Sequence, residues 1–154
     1  MENKNKDLHD LRHSLAHLLA AAVLEIYPDA KNTIGPAIDN GFYYDFDFSS
    51  PLSDKDLPAI EAKMKEILKS WKSFERREVS ADEAKKIFAG NPYKLELIED
   101  IEKEGGQISL YASGNFTDLC RGGHIDDASA IDPDGFKLSH IAGAYWRGDE
   151  KNPM

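Results

Sequence analysis

Between Asp10 and Phe48 the apolar pattern changes period, and this change limits the fold more than any other feature of the chain. From Asp10 to about Tyr27, Leu11, Leu15, Leu18, Ala22 and Ile26 recur at steps of three and four, the spacing of one helix face. Asp10 reads as the N-cap of that helix, residues 1–9 as a loose polar tail, and Pro28 as the stop. From Phe42 to Phe48 the period falls to two. Phe42, Tyr44, Phe46 and Phe48 alternate with Tyr43, Asp45 and Asp47, as in a half-buried strand with one aromatic and one acidic face. The Asn40-Gly41 pair ahead of it predicts a type I′ hairpin turn, which needs positive φ at both central residues.

The rest of the chain continues this mixture. Ser53 and Asp56 open a second amphipathic helix with Leu57, Ile60, Met64, Ile67 and Leu68 on its buried stripe. "FERREVS" reads as a strand, Ser80 as the cap of a short helix, and "YKLELIED" as either helix or strand. "GQISLYA" and "FKLSHIAGAYW" read as strands, with "SGNFTDLCRGGH" as a glycine-broken loop between them. The expected fold is α+β: a single domain over residues 10–154, with one mainly antiparallel sheet and long helices packed on one face.

Length and charge narrow the function. The 154 residues suffice for one cored domain, and a 41% hydrophobic, 31% charged composition is globular rather than disordered. No apolar run approaches the ~20 residues of a membrane span, so no membrane partner is expected. One cysteine excludes an intrachain disulfide and fits a cytoplasmic location. A net charge of −9 argues against strong non-specific nucleic-acid binding, although Lys94, Arg121, Lys137 and Arg147 can supply a local basic rim.

Two i, i+4 pairs carry most of the chemistry: His13 with His17 on the first helix, and Cys120 with His124 in "DLCRGGH". Residues four apart share a helix face, so the two imidazoles are neighbours. HxxxH is a spacing used by helical zinc ligands, but "HSLAH" lacks the glutamate of the metalloprotease motif. Cys120 stands beside Asp118, Arg121, two glycines and His124, poor company for a core thiol. The three imidazoles and the thiol can form a tetrahedral metal site or a metal-free acid–base set, and spacing alone does not choose. Lys94 in "NPYKLEL" is a softer candidate, since a lone lysine is usually a solvated charge.

"HSLAHLLAAAV", "IGPAIDNGFYYDF", "PYKLELI", "DLCRGGH" and "HIAGAYWRGD" resemble, in order and spacing, the editing domain of bacterial threonyl-tRNA synthetases. The resemblance covers residues 10 to 152 and departs at Gly123, where the family usually has proline. It implies a fragment of a longer synthetase. In that parent, ATP, Mg and Zn serve an aminoacylation domain absent here, and homodimerisation is expected through domains absent here.

The implied activity is hydrolysis of seryl-tRNA(Thr), with the 3′ end of tRNA(Thr) as partner and no cofactor or metal in this domain. The implied roles are His13 on the water and the terminal ribose hydroxyl, and His17 orienting His13. Lys94 polarises water or stabilises the oxyanion, Asp118 pairs with the serine ammonium, and Cys120 and His124 shape the pocket and relay protons. Tyr43 or Tyr44 is expected to wall the pocket, with Arg121 and Arg147 at its rim. The rivals are a zinc-dependent trans-editing hydrolase like the alanyl branch, with His13, His17, Cys120 and His124 as ligands, and a non-catalytic metal-binding or interaction module.

Overall fold

The computed structural model describes residues 2–120, 124, 128–143 and 146. Its elements run α1 (Glu2–Ile26), β1 (Lys31–Asn32), β2 (Ala37–Ile38), β3 (Gly41–Phe42), β4 (Phe46–Asp47), α2 (Leu57–Leu68), β5 (Glu75–Val79), α3 (Ala81–Ile87), α4 (Pro92–Lys103), β6 (Ile108–Ser113) and β7 (Phe116–Leu119). The class is α+β and every strand pair is antiparallel. The strands do not form one sheet. They pair as β1–β4, β2–β3 and β5–β6–β7. No helix among the described residues is long and apolar enough to cross a membrane.

Two cores result. The larger packs α1 against α2: Leu15, Leu18, Ala22 and Val23 meet Ile60, Met64 and Leu68, and Tyr44, Phe46 and Trp71 join them. The smaller packs Ala84 and Phe88, with Ile98 of α4, against Ile108 and Leu110 of β6. Side chains alternate across a strand, so Tyr111 and its cross-strand partner Asp118 share a face, while Leu110 and Leu119 share the opposite one. Leu110 and Leu119 pack into the smaller core, whereas Tyr111 contacts the His124 ring. The β5–β6–β7 sheet thus separates that core from the histidines.

Several local expectations change. α1 starts at Glu2, not Asp10, because residues 2–9 contain no glycine or proline to stop it. Asp10 is therefore inside the helix, where its carbonyl accepts the Ser14 hydroxyl at 2.8 Å. The hairpin turn is Asp39-Asn40, since Ile38 pairs with Gly41, and Gly41 begins a strand without positive φ. The aromatic alternation persists: Tyr44 and Phe46 are buried, while Tyr43 is exposed.

"YKLELIED" is helical, because Asn91 caps the N–H groups of Tyr93 and Lys94 and Pro92 occupies the first turn. Phe116–Leu119, expected as loop, is strand β7. Gly114 takes φ +58°, which lets a two-residue turn return the chain onto β6. The strand expected from Phe136 is absent from residues 136–143.

Candidate functional site

α1 carries His13 and His17 on adjacent turns, and the end of β7 brings Cys120 to them. The Cys120 Sγ lies 3.4 Å from the His13 Nε2 and 3.4 Å from the His124 Nε2. His13 and His124 stack face to face, with centroids 4.3 Å apart and an 18° tilt. His17 meets both rings edge-on, at 5.0 Å from His13 and 4.5 Å from His124. The other face of His124 is covered by Phe74 at 4.5 Å. Its Nδ1 lies 3.0 Å from the Ser14 hydroxyl. His13 and Cys120 are half-buried, whereas His17 is only 3% exposed. A groove of about 280 Å³ has Cys120 in its wall, together with Leu97, Ser109 and Leu119.

Behind His17 lies a charged network, with Lys94 2% and Asp118 1% exposed. The Lys94 ammonium donates to the Asp118 Oδ1 at 2.7 Å, the Thr33 carbonyl at 2.7 Å and the Tyr44 oxygen at 3.0 Å. An ammonium has three N–H donors, so all three are engaged. The Tyr44 hydroxyl donates to the Asp118 Oδ2 at 2.6 Å and accepts from the Asn32 amide at 3.0 Å. Asp118 also accepts from the Leu119 N–H at 2.8 Å and faces the His17 Nδ1 at 3.4 Å. Four segments far apart in the chain thus close one fully bonded polar cluster, as a buried ion pair requires.

Burial sets the protonation states. It lowers His17 to about 4, against the opposing pull of Asp118. It lowers His124 to about 2, and His17 and His13 add to the effect. Burial acts to raise Asp118, but Lys94 and His17 reverse it and hold the carboxyl below its ordinary range. Burial, then Asp118, push the Tyr44 phenol well above its usual value. Near neutral pH the result is a Lys94–Asp118 ion pair beside two uncharged imidazoles.

The structure brings together His13, His17, Cys120 and His124, and joins Lys94, Asp118 and Tyr44 directly behind them. Asp118 and Lys94, assigned from the resemblance to substrate ammonium, water or oxyanion, are here partners of each other. Tyr44, expected as pocket wall, gives its hydroxyl to this network. Tyr43 is 39% exposed and Lys137 is exposed. Arg121, Gly123 and Arg147 lie outside the described residues. Asn32, Thr33, Ser14 and Asn91 were not singled out in the sequence. Of these only Asn91 carried a signal, as an Asn-Pro helix start.

The ligand atoms of His13, His17, Cys120 and His124 lie within 4.8 Å of one another, close enough to invite a metal. A ligating imidazole directs its lone pair in the ring plane, so the ion must lie in the plane of every ligating ring. The stacked planes of His13 and His124, tilted by only 18°, do not meet within bonding reach of either ring. As they stand, these two rings do not fit one shared ion, and one would have to turn.

No protein-family model matches the chain. Curated proteins do. The chain is 56% identical over 148 residues to a threonine–tRNA ligase of Dehalococcoides mccartyi, covering 96% of this chain and 25% of that protein. It is 51% identical over 152 residues to one from Borrelia turicatae and 49% identical over 152 residues to one from Borreliella burgdorferi, each alignment covering 99% of this chain and 26% of the relative. The chain spans about a quarter of the length of these relatives.

Proposed function

Over nearly its whole length the chain is homologous to one segment of threonine–tRNA ligases, and from that premise we propose that its histidine–cysteine cluster hydrolyses the serine ester of mischarged tRNA(Thr). One observation carries the reading: a half-buried imidazole, His13, stands with Cys120 and His124 in front of a buried, fully bonded Lys94–Asp118 pair. Ligase chemistry, with its ATP, Mg and Zn, is assigned in this reading to parts outside this chain.

Ester hydrolysis needs a water, a base to take its proton and an acid to return one to the leaving oxygen. His13 is the catalytic residue, because of the two α1 histidines in the cluster it is the one with access to solvent. Water attacks the ester carbonyl as His13 takes its proton. The carbonyl–ribose C–O bond then breaks, and the imidazolium returns the proton to the ribose oxygen. The products are serine and a free terminal hydroxyl. Cys120 lies 3.4 Å from both rings, where it limits the pocket and orients His13 without forming an acyl-enzyme. Lys94 and Asp118 are positioning residues, since both are buried and bonded to each other. They hold His17, whose edge fixes the His13 ring.

The stacking of His13 on His124 favours a metal-free site over the zinc hydrolase. Deacylation of Ser-tRNA(Thr) and Thr-tRNA(Thr) at equal concentration, with metal analysis of the same sample, tests the reading. Rapid loss of serine, slow loss of threonine and substoichiometric zinc are expected. Equal rates on both esters refute editing. An inactive chain supports a binding module, and stoichiometric zinc required for activity supports the metal hydrolase.

A further inference from the structure

Asn91 lies outside the histidine–cysteine cluster, yet it is bonded at both ends of its amide. Its Oδ1 accepts the N–H groups of Tyr93 at 3.1 Å and Lys94 at 3.3 Å, capping α4. Its Nδ2 donates to the Asn32 carbonyl at 2.8 Å and to the Asn32 Oδ1 at 3.2 Å. A helix cap needs only the acceptor, so serine or aspartate would serve as well. The donor side is surplus to capping and asks for another account.

The donors hold Asn32, which in turn reaches Tyr44. Accepting at Oδ1 settles which way the Asn32 amide faces, and leaves its Nδ2 directed at the Tyr44 oxygen, 3.0 Å away. The Tyr44 oxygen also receives the Lys94 ammonium, so its one proton goes to Asp118. A flipped Asn32 would aim a carbonyl at Tyr44, which would then turn its proton away from Asp118. Asn91 thereby controls Lys94 twice. It holds the backbone of α4 where Lys94 departs, and it sets the donor pattern on the oxygen that Lys94 meets.

We infer that Asn91 is a positioning residue for the hydrolytic site, acting through Asn32 and Tyr44 to orient the Lys94–Asp118 pair. The inference rests on the deacylase reading and deepens it. Asn91→Asp separates cap from relay. The carboxylate keeps the acceptor for Tyr93 and Lys94 and suits a helix N-terminus, but it cannot donate to Asn32. Asn91→Ser is the second variant, retaining a cap without an amide.

Two readouts are taken on the whole chain: kcat and KM for Ser-tRNA(Thr), and the 15N–1H signal of the Lys94 ammonium, slow to exchange when buried and triply bonded. Asn91→Asp, whose carboxylate faces two Asn32 oxygens, should melt lower than wild type but remain folded, and Asn91→Ser should melt nearer to it. Each should lose about 10–100-fold in kcat at unchanged KM, as expected for misplacement without lost substrate contact, and each should lose or shift the Lys94 signal. A wild-type signal in both variants overturns the relay, whatever the rates. A shifted signal with wild-type kcat overturns its part in the reaction. If wild type itself spares the ester, the deacylase reading fails, and the Lys94 signal still decides whether Asn91 positions the pair.

Discussion

Acid should destabilise this chain more than its carboxylates alone require, because two histidines are held neutral in the folded state. An unfolded imidazole titrates near 6.5, whereas burial sets His17 at about 4 and His124 at about 2. A folded pKa below the unfolded one means that the unfolded chain binds more protons as pH falls. Stability is therefore full above pH 6.5 and is lost below it, down to about pH 4 for His17 and about pH 2 for His124. At about pH 4.5, some two units below the unfolded value, each histidine contributes a loss of about 2.6 kcal/mol, or about 5 kcal/mol together. A domain of this size holds only about 5–15 kcal/mol in all, so the loss is decisive. Urea unfolding at about pH 7 and pH 4.5 measures it in the wild type and in a His17→Gln/His124→Gln variant, which has no imidazole to charge at either position. The wild type should lose about 5 kcal/mol more than the variant. Equal losses would mean that the histidines are not held neutral, and the electrostatic account of the site would fall.

His13→Ala should lower Ser-tRNA(Thr) deacylation about 10²–10⁴-fold with little change in melting temperature, and His17→Ala should cost less in rate; steady-state kinetics beside circular dichroism checks both. Lys94→Met and Asp118→Asn should each cost about 3–5 kcal/mol by urea denaturation, because each leaves its partner buried and unpaired. The double variant should cost clearly less than their sum, and strict additivity would contradict the ion pair. Gly35→Ala would drive a methyl into the Tyr44 ring, too close to coexist with it. It should cost about 1–3 kcal/mol in thermal or urea unfolding and lower deacylation by displacing the Tyr44 hydroxyl.

How legible each part was depends on whether its signal is local. The helix of His13 and His17 and the aromatic alternation through Phe48 repeat over many residues, so their faces can be read directly. β7 was missed because Phe116–Leu119 is four residues long, between a glycine turn and a glycine-rich stretch of sequence, with only Phe116 and Leu119 apolar. Its pairing to β6 is tertiary information. "YKLELIED" has no period that separates helix from strand over so few residues, and the cap and proline ahead of it decide the matter. The hairpin shifted by one residue because Asp-Asn can turn the chain as Asn-Gly can. At the site, the i, i+4 spacings identified His13, His17, Cys120 and His124. Asn32, Thr33 and Tyr44 became a network only once β1 and β4 were laid beside α4.

The proposed reaction needs an uncharged His17 near neutral pH, and burial, with His13 and Lys94, supplies it. The carboxylate of Asp118 lies 3.4 Å from the His17 Nδ1. Left to itself, such a carboxylate would favour an imidazolium. A cation on His17 would in turn oppose the charge that His13 must take when it accepts a proton, one ring away at 5.0 Å. Burial is the main cause that lowers His17, and the charges of His13 and of Lys94, which meets the other Asp118 oxygen, add to it. His17 thus remains a neutral, fixed edge against His13. In the proposed reaction, a buried ammonium whose donors are all engaged thus helps to keep His17 neutral without touching the substrate. In water the Lys94 charge would be screened, and its opposition to an imidazolium at His17 would weaken.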